Sequence, residues 1–129
     1  MTRLYVVDDD WGFLELVQEV AEPLGFDTVV AAAPKDFKSL CGCEADAVVM
    51  IDMVMPETDG IELVSWLSEQ GFAGKLIFVS GFAEQYAEMA SALAVASGLN
   101  VADTLAKPVK LDRLRKALAA AKNPASSRG

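Results

Sequence analysis

Short apolar runs alternate with longer amphipathic segments along the chain. Most of the short runs are continuously apolar, which is typical of strands buried on both faces of a parallel sheet. They predict strands at residues 4–7, 28–31, 47–51, 75–80 and 101–106. Apolar residues with helical spacing predict helices at residues 12–24, 34–42, 59–71, 83–98 and 110–122. Strand followed by helix, repeated along the chain, predicts a doubly wound α/β domain with right-handed crossovers.

The composition agrees with a single folded domain. The chain has 129 residues, of which 53% are hydrophobic, so it is long enough to bury a core. No apolar run approaches the roughly 18 residues that a membrane-spanning helix needs. Acidic residues interrupt the first apolar stretch almost at once, unlike in a signal peptide. These features predict a cytoplasmic protein that does not bind membranes.

The charge and the residue types exclude several classes of function. The formal net charge is −8, with 19 acidic residues against 11 basic ones, so direct binding to nucleic acid is not expected. The chain has no histidine, which excludes any mechanism that uses its imidazole as a base or as a metal ligand.

Polar residues gather where the predicted strands end. They are Asp8, Asp9 and Asp10 after the first strand, Asp52 after the third, Ser80 at the end of the fourth, and Lys107 and Pro108 after the fifth. In open α/β sheets the carboxyl ends of the strands meet at one edge, where ligands bind. Each residue alone is common in turns and helix caps, but the joint arrangement favours one functional pocket.

The chain resembles the receiver domain of two-component response regulators over residues 1–122. Four motifs carry the resemblance in the family's order and spacing: "VVDD" at 6–9, "DMVMPETDG" at 52–60, "VSG" at 79–81 and "LAKP" at 105–108. The resemblance implies a flavodoxin-like, five-stranded parallel sheet in the order 2-1-3-4-5 with five helices. Residues 123–129 would form a C-terminal tail or linker.

The resemblance also implies a function. Such a domain accepts a phosphoryl group from a sensor histidine kinase or a histidine phosphotransfer protein, and it catalyses only its own phosphorylation and dephosphorylation. Asp52 would be the phosphorylated residue, because a carboxylate can form an acyl phosphate. Asp9, Asp52 and the backbone carbonyl of Val54 would bind Mg²⁺, with Asp8 acting through water. A homodimer or an attached output domain would be the further partners.

Two side chains would contact the phosphoryl group itself. Lys107 would pair with its oxygens as a mobile charge, and Ser80 would donate a hydrogen bond. The family has a cis peptide bond at the position of Lys107 and Pro108.

The sequence departs from the family at the fifth strand. Thr104 stands where receivers usually carry Tyr or Phe, and the interval from Ser80 to Lys107 is longer than usual, which predicts an extended fourth helix. We therefore expect the signal to leave through the loop after Ser80 and the helix at 83–98. The segment "SGLNVADTLAKP" resembles receivers attached to cyclic-di-GMP phosphodiesterase domains.

Three alternatives fit the sequence less well. A degenerate receiver would be expected to lack Asp52, Lys107 or the acidic pair, all of which are present. A phosphohydrolase of the haloacid dehalogenase type needs a second Asp two residues after the first, where this chain has Val54. A flavin-binding domain needs a phosphate-binding loop after the first strand, where the acidic residues would repel a phosphate.

Overall fold

The computed structural model describes residues 2–42, 44–53, 60–81 and 84–122. Strands and helices alternate throughout. The strands are β1 (Thr2–Val7), β2 (Phe26–Ala31), β3 (Val48–Asp52), β4 (Lys75–Ser80) and β5 (Asn100–Ala106). The helices are α1 (Trp11–Ala21), α2 (Pro34–Leu40), α3 (Gly60–Glu69), α4 (Glu84–Ala96) and α5 (Leu111–Lys122). The predicted tail at 123–129 lies outside the described residues.

The strands form one parallel sheet in the order β2-β1-β3-β4-β5. This order confirms the predicted fold class. Along the sheet, Asp52 pairs in register with Val79, and Ser80 pairs with Ala106. The carboxyl ends of β3, β4 and β5 therefore lie side by side, and the residues that follow them share one edge.

The hydrophobic core has two layers, one on each face of the sheet. Successive residues of β3 alternate between them, with Val49 and Ile51 facing α2, α3 and α4, and with Val48 and Met50 facing α1 and α5. All residues of β3 are buried, including Asp52 at its end. A strand packed on both faces gives that carboxylate a fixed position.

The first predicted helix is wrong at its C-terminal end. Helix α1 ends at Ala21, and a short 3₁₀ helix occupies Glu22–Leu24. Pro23 has no backbone N–H, and its ring would clash with the carbonyl of residue 19 in a continuing α-helix. Gly25 then takes a positive φ of 92°, which returns the chain to the sheet.

No helix in the described part of the chain is both long and apolar enough to span a membrane.

Candidate functional site

The three consecutive aspartates after β1 have different environments. The Asp8 side chain is buried, and its Oδ1 accepts a hydrogen bond of 2.9 Å from the backbone N–H of Asp10. Asp9 is exposed. Oδ1 of Asp10 accepts from the N–H groups of Gly12 and Phe13 at 3.0 and 3.3 Å, so Asp10 is the N-cap of α1. The Asp10 carboxylate is thus engaged with α1, whereas one oxygen each of Asp8 and Asp9 lies close to Asp52.

A group of carboxylates lies where β1 and β3 end. One side-chain oxygen from each of Asp8, Asp9 and Asp52 lies within 4.8 Å of the others. Asp8 and Asp52 are only 1% and 5% exposed, so two carboxyl groups are held close together away from water. Carboxylate oxygens are the ligands that Mg²⁺ prefers, and this donor set fits such an ion.

Lys107 supplies positive charge to the same group. Its Nζ lies 2.8 Å from Oδ2 of Asp8 and 3.7 Å from Oδ2 of Asp52. The backbone N–H of Lys107 donates to the carbonyl of Ser80 at 2.7 Å, which ties the end of β5 to that of β4. The Lys107–Pro108 peptide bond is cis.

Opposing effects act on the pKa of Lys107. Burial lowers the pKa, but the neighbouring Asp8 and then the charges of Asp52 and Asp10 raise it, and the net shift is upward. The ammonium group is therefore charged at neutral pH. Oδ2 of Asp8 has no hydrogen bond of regular geometry within the described residues, so its 2.8 Å contact with Lys107 is best described as an ion pair. This buried oxygen can also ligate a cation.

The other predicted site residues lie at different places along the edge. Ser80 ends β4 and is buried, beside the last residue of β5. Thr104 is exposed on β5, pairs in register with Phe78, and lies apart from the carboxylate group. Val54 falls outside the described residues.

One neighbour of Lys107 was not predicted. The Phe13 ring lies below the ammonium group, with its centroid 4.8 Å from Nζ. The sequence assigns Phe13 to the apolar stripe of the first helix, and nothing in the stripe distinguishes it from a core residue. Only its place in the first turn of the helix, just after the acidic residues, indicates that it lies near the site.

The chain belongs to the response regulator receiver domain family, whose model matches residues 4–119. The domain is thus a signalling domain of two-component systems. A response regulator from Colwellia psychrerythraea has a similar structure, with a TM-score of 0.82 and 30% identity, covering 99% of this chain and 98% of that one. The fold is also shared by a CheY-like receiver domain protein from Methanospirillum hungatei, with a TM-score of 0.78, 21% identity, and coverage of 100% and 99%.

Two curated relatives are longer than this chain. The Regulator of RpoS from Escherichia coli is 32% identical over 115 residues, which are 88% of this chain and 33% of that protein. The photosynthetic apparatus regulatory protein RegA from Rhodobacter capsulatus is 29% identical over 117 residues, 91% of this chain and 61% of that protein. The chain thus spans between about a third and three fifths of these relatives.

Proposed function

We propose that Asp52 accepts a phosphoryl group and that the domain signals through the resulting conformational change. The observation that carries this proposal is the pairing of the Lys107 ammonium with two buried carboxylates, Asp8 and Asp52, at the carboxyl edge of the sheet. The family relationship supports the same role.

In the proposed step, a carboxylate oxygen of Asp52 attacks the phosphorus of the donor. A new O–P bond forms, and the bond from phosphorus to the donor breaks. The leaving group keeps the bonding electron pair. Acetate leaves from acetyl phosphate, and neutral imidazole leaves from a phosphohistidine whose other ring nitrogen carries a proton. The product is an acyl phosphate on Asp52, and the domain acts on no other substrate.

The site must neutralise charge before a phosphodianion can approach three carboxylates. We propose that Asp9, Asp52 and the carbonyl of Val54 hold Mg²⁺, with Asp8 linked to it through water. The ion supplies charge neutralisation. Lys107 lies close enough to Asp52 to pair with the incoming phosphoryl oxygens, and Ser80 is the proposed hydrogen-bond donor to them.

The remaining expectations extend this proposal. Residues 1–122 would be the receiver and 123–129 a tail or linker. The phosphodonor would be a histidine kinase or a histidine phosphotransfer protein in the cytoplasm. The greater length of the relatives supports an attached output domain, and a homodimer is the alternative partner. Membership of the subgroup with cyclic-di-GMP phosphodiesterase domains stays a prediction, which the full-length reading frame would test.

Intact-mass spectrometry after incubation with acetyl phosphate tests the proposal. Wild type should gain one phosphoryl group with Mg²⁺ and almost none after chelation. Asp52→Asn should gain none, whereas Asp46→Asn, which alters an exposed aspartate away from the site, should behave like wild type. An adduct that persists in Asp52→Asn would show that another residue is the acceptor.

A further inference from the structure

The Lys107 ammonium lies close to two carboxylates and an aromatic ring. Its Nζ is 2.8 Å from Asp8 and 3.7 Å from Asp52, and the Phe13 ring centroid lies 4.8 Å away. The face of an aromatic ring carries partial negative charge and attracts a cation within about 6 Å of its centroid. The ring is thus a third attractive group for the ammonium, and one that does not bind metal ions as a carboxylate does.

The position of the ring is set by the loop that forms the site. The N–H of Phe13 donates to Oδ1 of Asp10 at 3.3 Å, and the N–H of Asp10 donates to Oδ1 of Asp8 at 2.9 Å. The Phe13 side chain is partly buried and packs against the core layer between the sheet and α1 and α5. Two hydrogen bonds therefore link the Phe13 backbone to the Asp8 carboxylate, and core packing restricts the ring.

We propose that Phe13 is a positioning residue. It keeps the Lys107 ammonium close to Asp52 when a cation bound by the carboxylates weakens their pairing with the lysine. This inference rests on the proposed function, in which Lys107 pairs with the oxygens of the incoming phosphoryl group. Lys107 has a long, flexible side chain, and without the ring its ammonium would spend more time in solvent once its pairing with Asp8 weakens. The ring also borders an open cavity of about 590 Å³ that Gly81 and Lys107 line.

Nuclear magnetic resonance tests the contact without any phosphorylation. A ring below the ammonium shifts the Lys107 ε-methylene protons upfield, and the signal is assigned by its loss in Lys107→Met. The upfield shift should persist in Phe13→Tyr, which keeps the ring, and should disappear in Phe13→Leu. A shift that is the same in Phe13→Leu as in wild type would overturn the proposal.

Phosphorylation rates test the consequence. With acetyl phosphate and Mg²⁺, Phe13→Leu should slow phosphorylation about two- to tenfold, the range expected for loss of a partly exposed cation–π contact. Phe13→Tyr should stay near the wild-type rate. Leu16→Ala is the packing control, since Leu16 lies one turn further along α1 and packs against the same core layer. It should slow the reaction much less than Phe13→Leu does.

The outcomes separate the two proposals. Wild type that is not phosphorylated would contradict the proposed function, while the proton shifts would still decide the role of Phe13. Equal slowing in Phe13→Leu and Leu16→Ala would show that Phe13 only packs the core. An effect of Phe13→Leu that persists at full size in a Lys107→Ala background would likewise contradict a role through Lys107.

Discussion

Nζ of Lys107 lies 2.8 Å from Oδ2 of Asp8, a carboxylate that is 1% exposed. Before any cation binds, Lys107 is thus a source of positive charge for the buried acids. Removing one member of a buried ion pair leaves the other charge uncompensated, which destabilises a fold. We therefore expect Lys107→Ala to lower the melting temperature in the absence of Mg²⁺ and to gain more stability from Mg²⁺ than wild type does. An equal gain in both proteins would show that the lysine and the ion act independently.

Mg²⁺ should stabilise wild type as well. A cation that binds only the folded state adds about 1.4 kcal/mol at tenfold excess over its Kd, or about 3–7 °C in melting temperature for a domain of this size. Asp9→Ala or Asp52→Asn should be at least as stable as wild type without Mg²⁺, because each variant removes repulsion, and should show no gain with it. A melting temperature of wild type that does not respond to Mg²⁺ would argue against the metal site.

Tryptophan fluorescence gives a second measurement of Mg²⁺ binding. Trp11 is 59% exposed and begins α1 beside the acidic loop. Trp66 lies on α3 in edge-to-face contact with Phe37, away from that loop. Emission should change on addition of Mg²⁺ in wild type and in Trp66→Phe, and should stay constant in Trp11→Phe. A change that persists in Trp11→Phe and is lost in Trp66→Phe would show that the ion binds away from the acidic loop.

The pairing of Asp103 with Arg113 should make stability depend on pH. Two hydrogen bonds, of 2.8 and 2.9 Å, join β5 to α5, and the Arg113 guanidinium lowers the pKa of Asp103. A lowered pKa in the folded state contributes stability above the unfolded pKa and loses it as the pH falls through the folded pKa. Because both side chains are partly exposed, Arg113→Ala should cost about 0.2–1 kcal/mol at neutral pH.

Urea unfolding at several pH values measures this contribution. The difference between wild type and Arg113→Ala should shrink as the solution is acidified below the ordinary pKa of an aspartate. Arg115→Ala is the matched control, since its ion pair with Asp112 involves a carboxylate that is 99% exposed. A difference that stays constant down to the acid transition would contradict the assignment to Asp103.

Thr104 should not relay the signal from the phosphorylated site. Its side chain is exposed and small, and a β-branched residue in a strand has little freedom at its first torsion. Amide exchange with and without beryllofluoride should show a response in residue 81 and in α4. Ser80→Ala should suppress that response, whereas Thr104→Ala should leave most of it. Loss of the response in Thr104→Ala to the same degree would make Thr104 the relay.

The parts of the fold predicted from sequence are those set by burial. The continuous apolar run of β3 predicted helices on both faces of the sheet, and the core has a layer on each face. The strand order is the one that the family resemblance implied. The end of α1 was missed because apolar periodicity continues past Pro23, whereas the missing N–H at that residue ends the α-helix.

The part of the site that could be predicted from sequence is the set of residues placed together by the ends of the strands. Asp8, Asp52 and Lys107 meet because parallel strands end at one edge. The ring of Phe13 was not predicted, since its contact with Lys107 depends on how α1 leaves the acidic loop. That direction is set by the cap at Asp10, whose hydrogen bonds to Gly12 and Phe13 cannot be distinguished in the sequence from those of an ordinary turn.

The most direct test of the account is the chemical identity of the phosphorylated residue. Borohydride reduces an acyl phosphate of aspartate to homoserine, which peptide mass spectrometry locates. After treatment with acetyl phosphate and Mg²⁺, we predict homoserine at residue 52, and none at that position without Mg²⁺ or in Asp52→Asn. Homoserine at residue 8, 9 or 10, or its absence from every aspartate of a phosphorylated sample, would contradict the assignment of Asp52 as the phosphoacceptor.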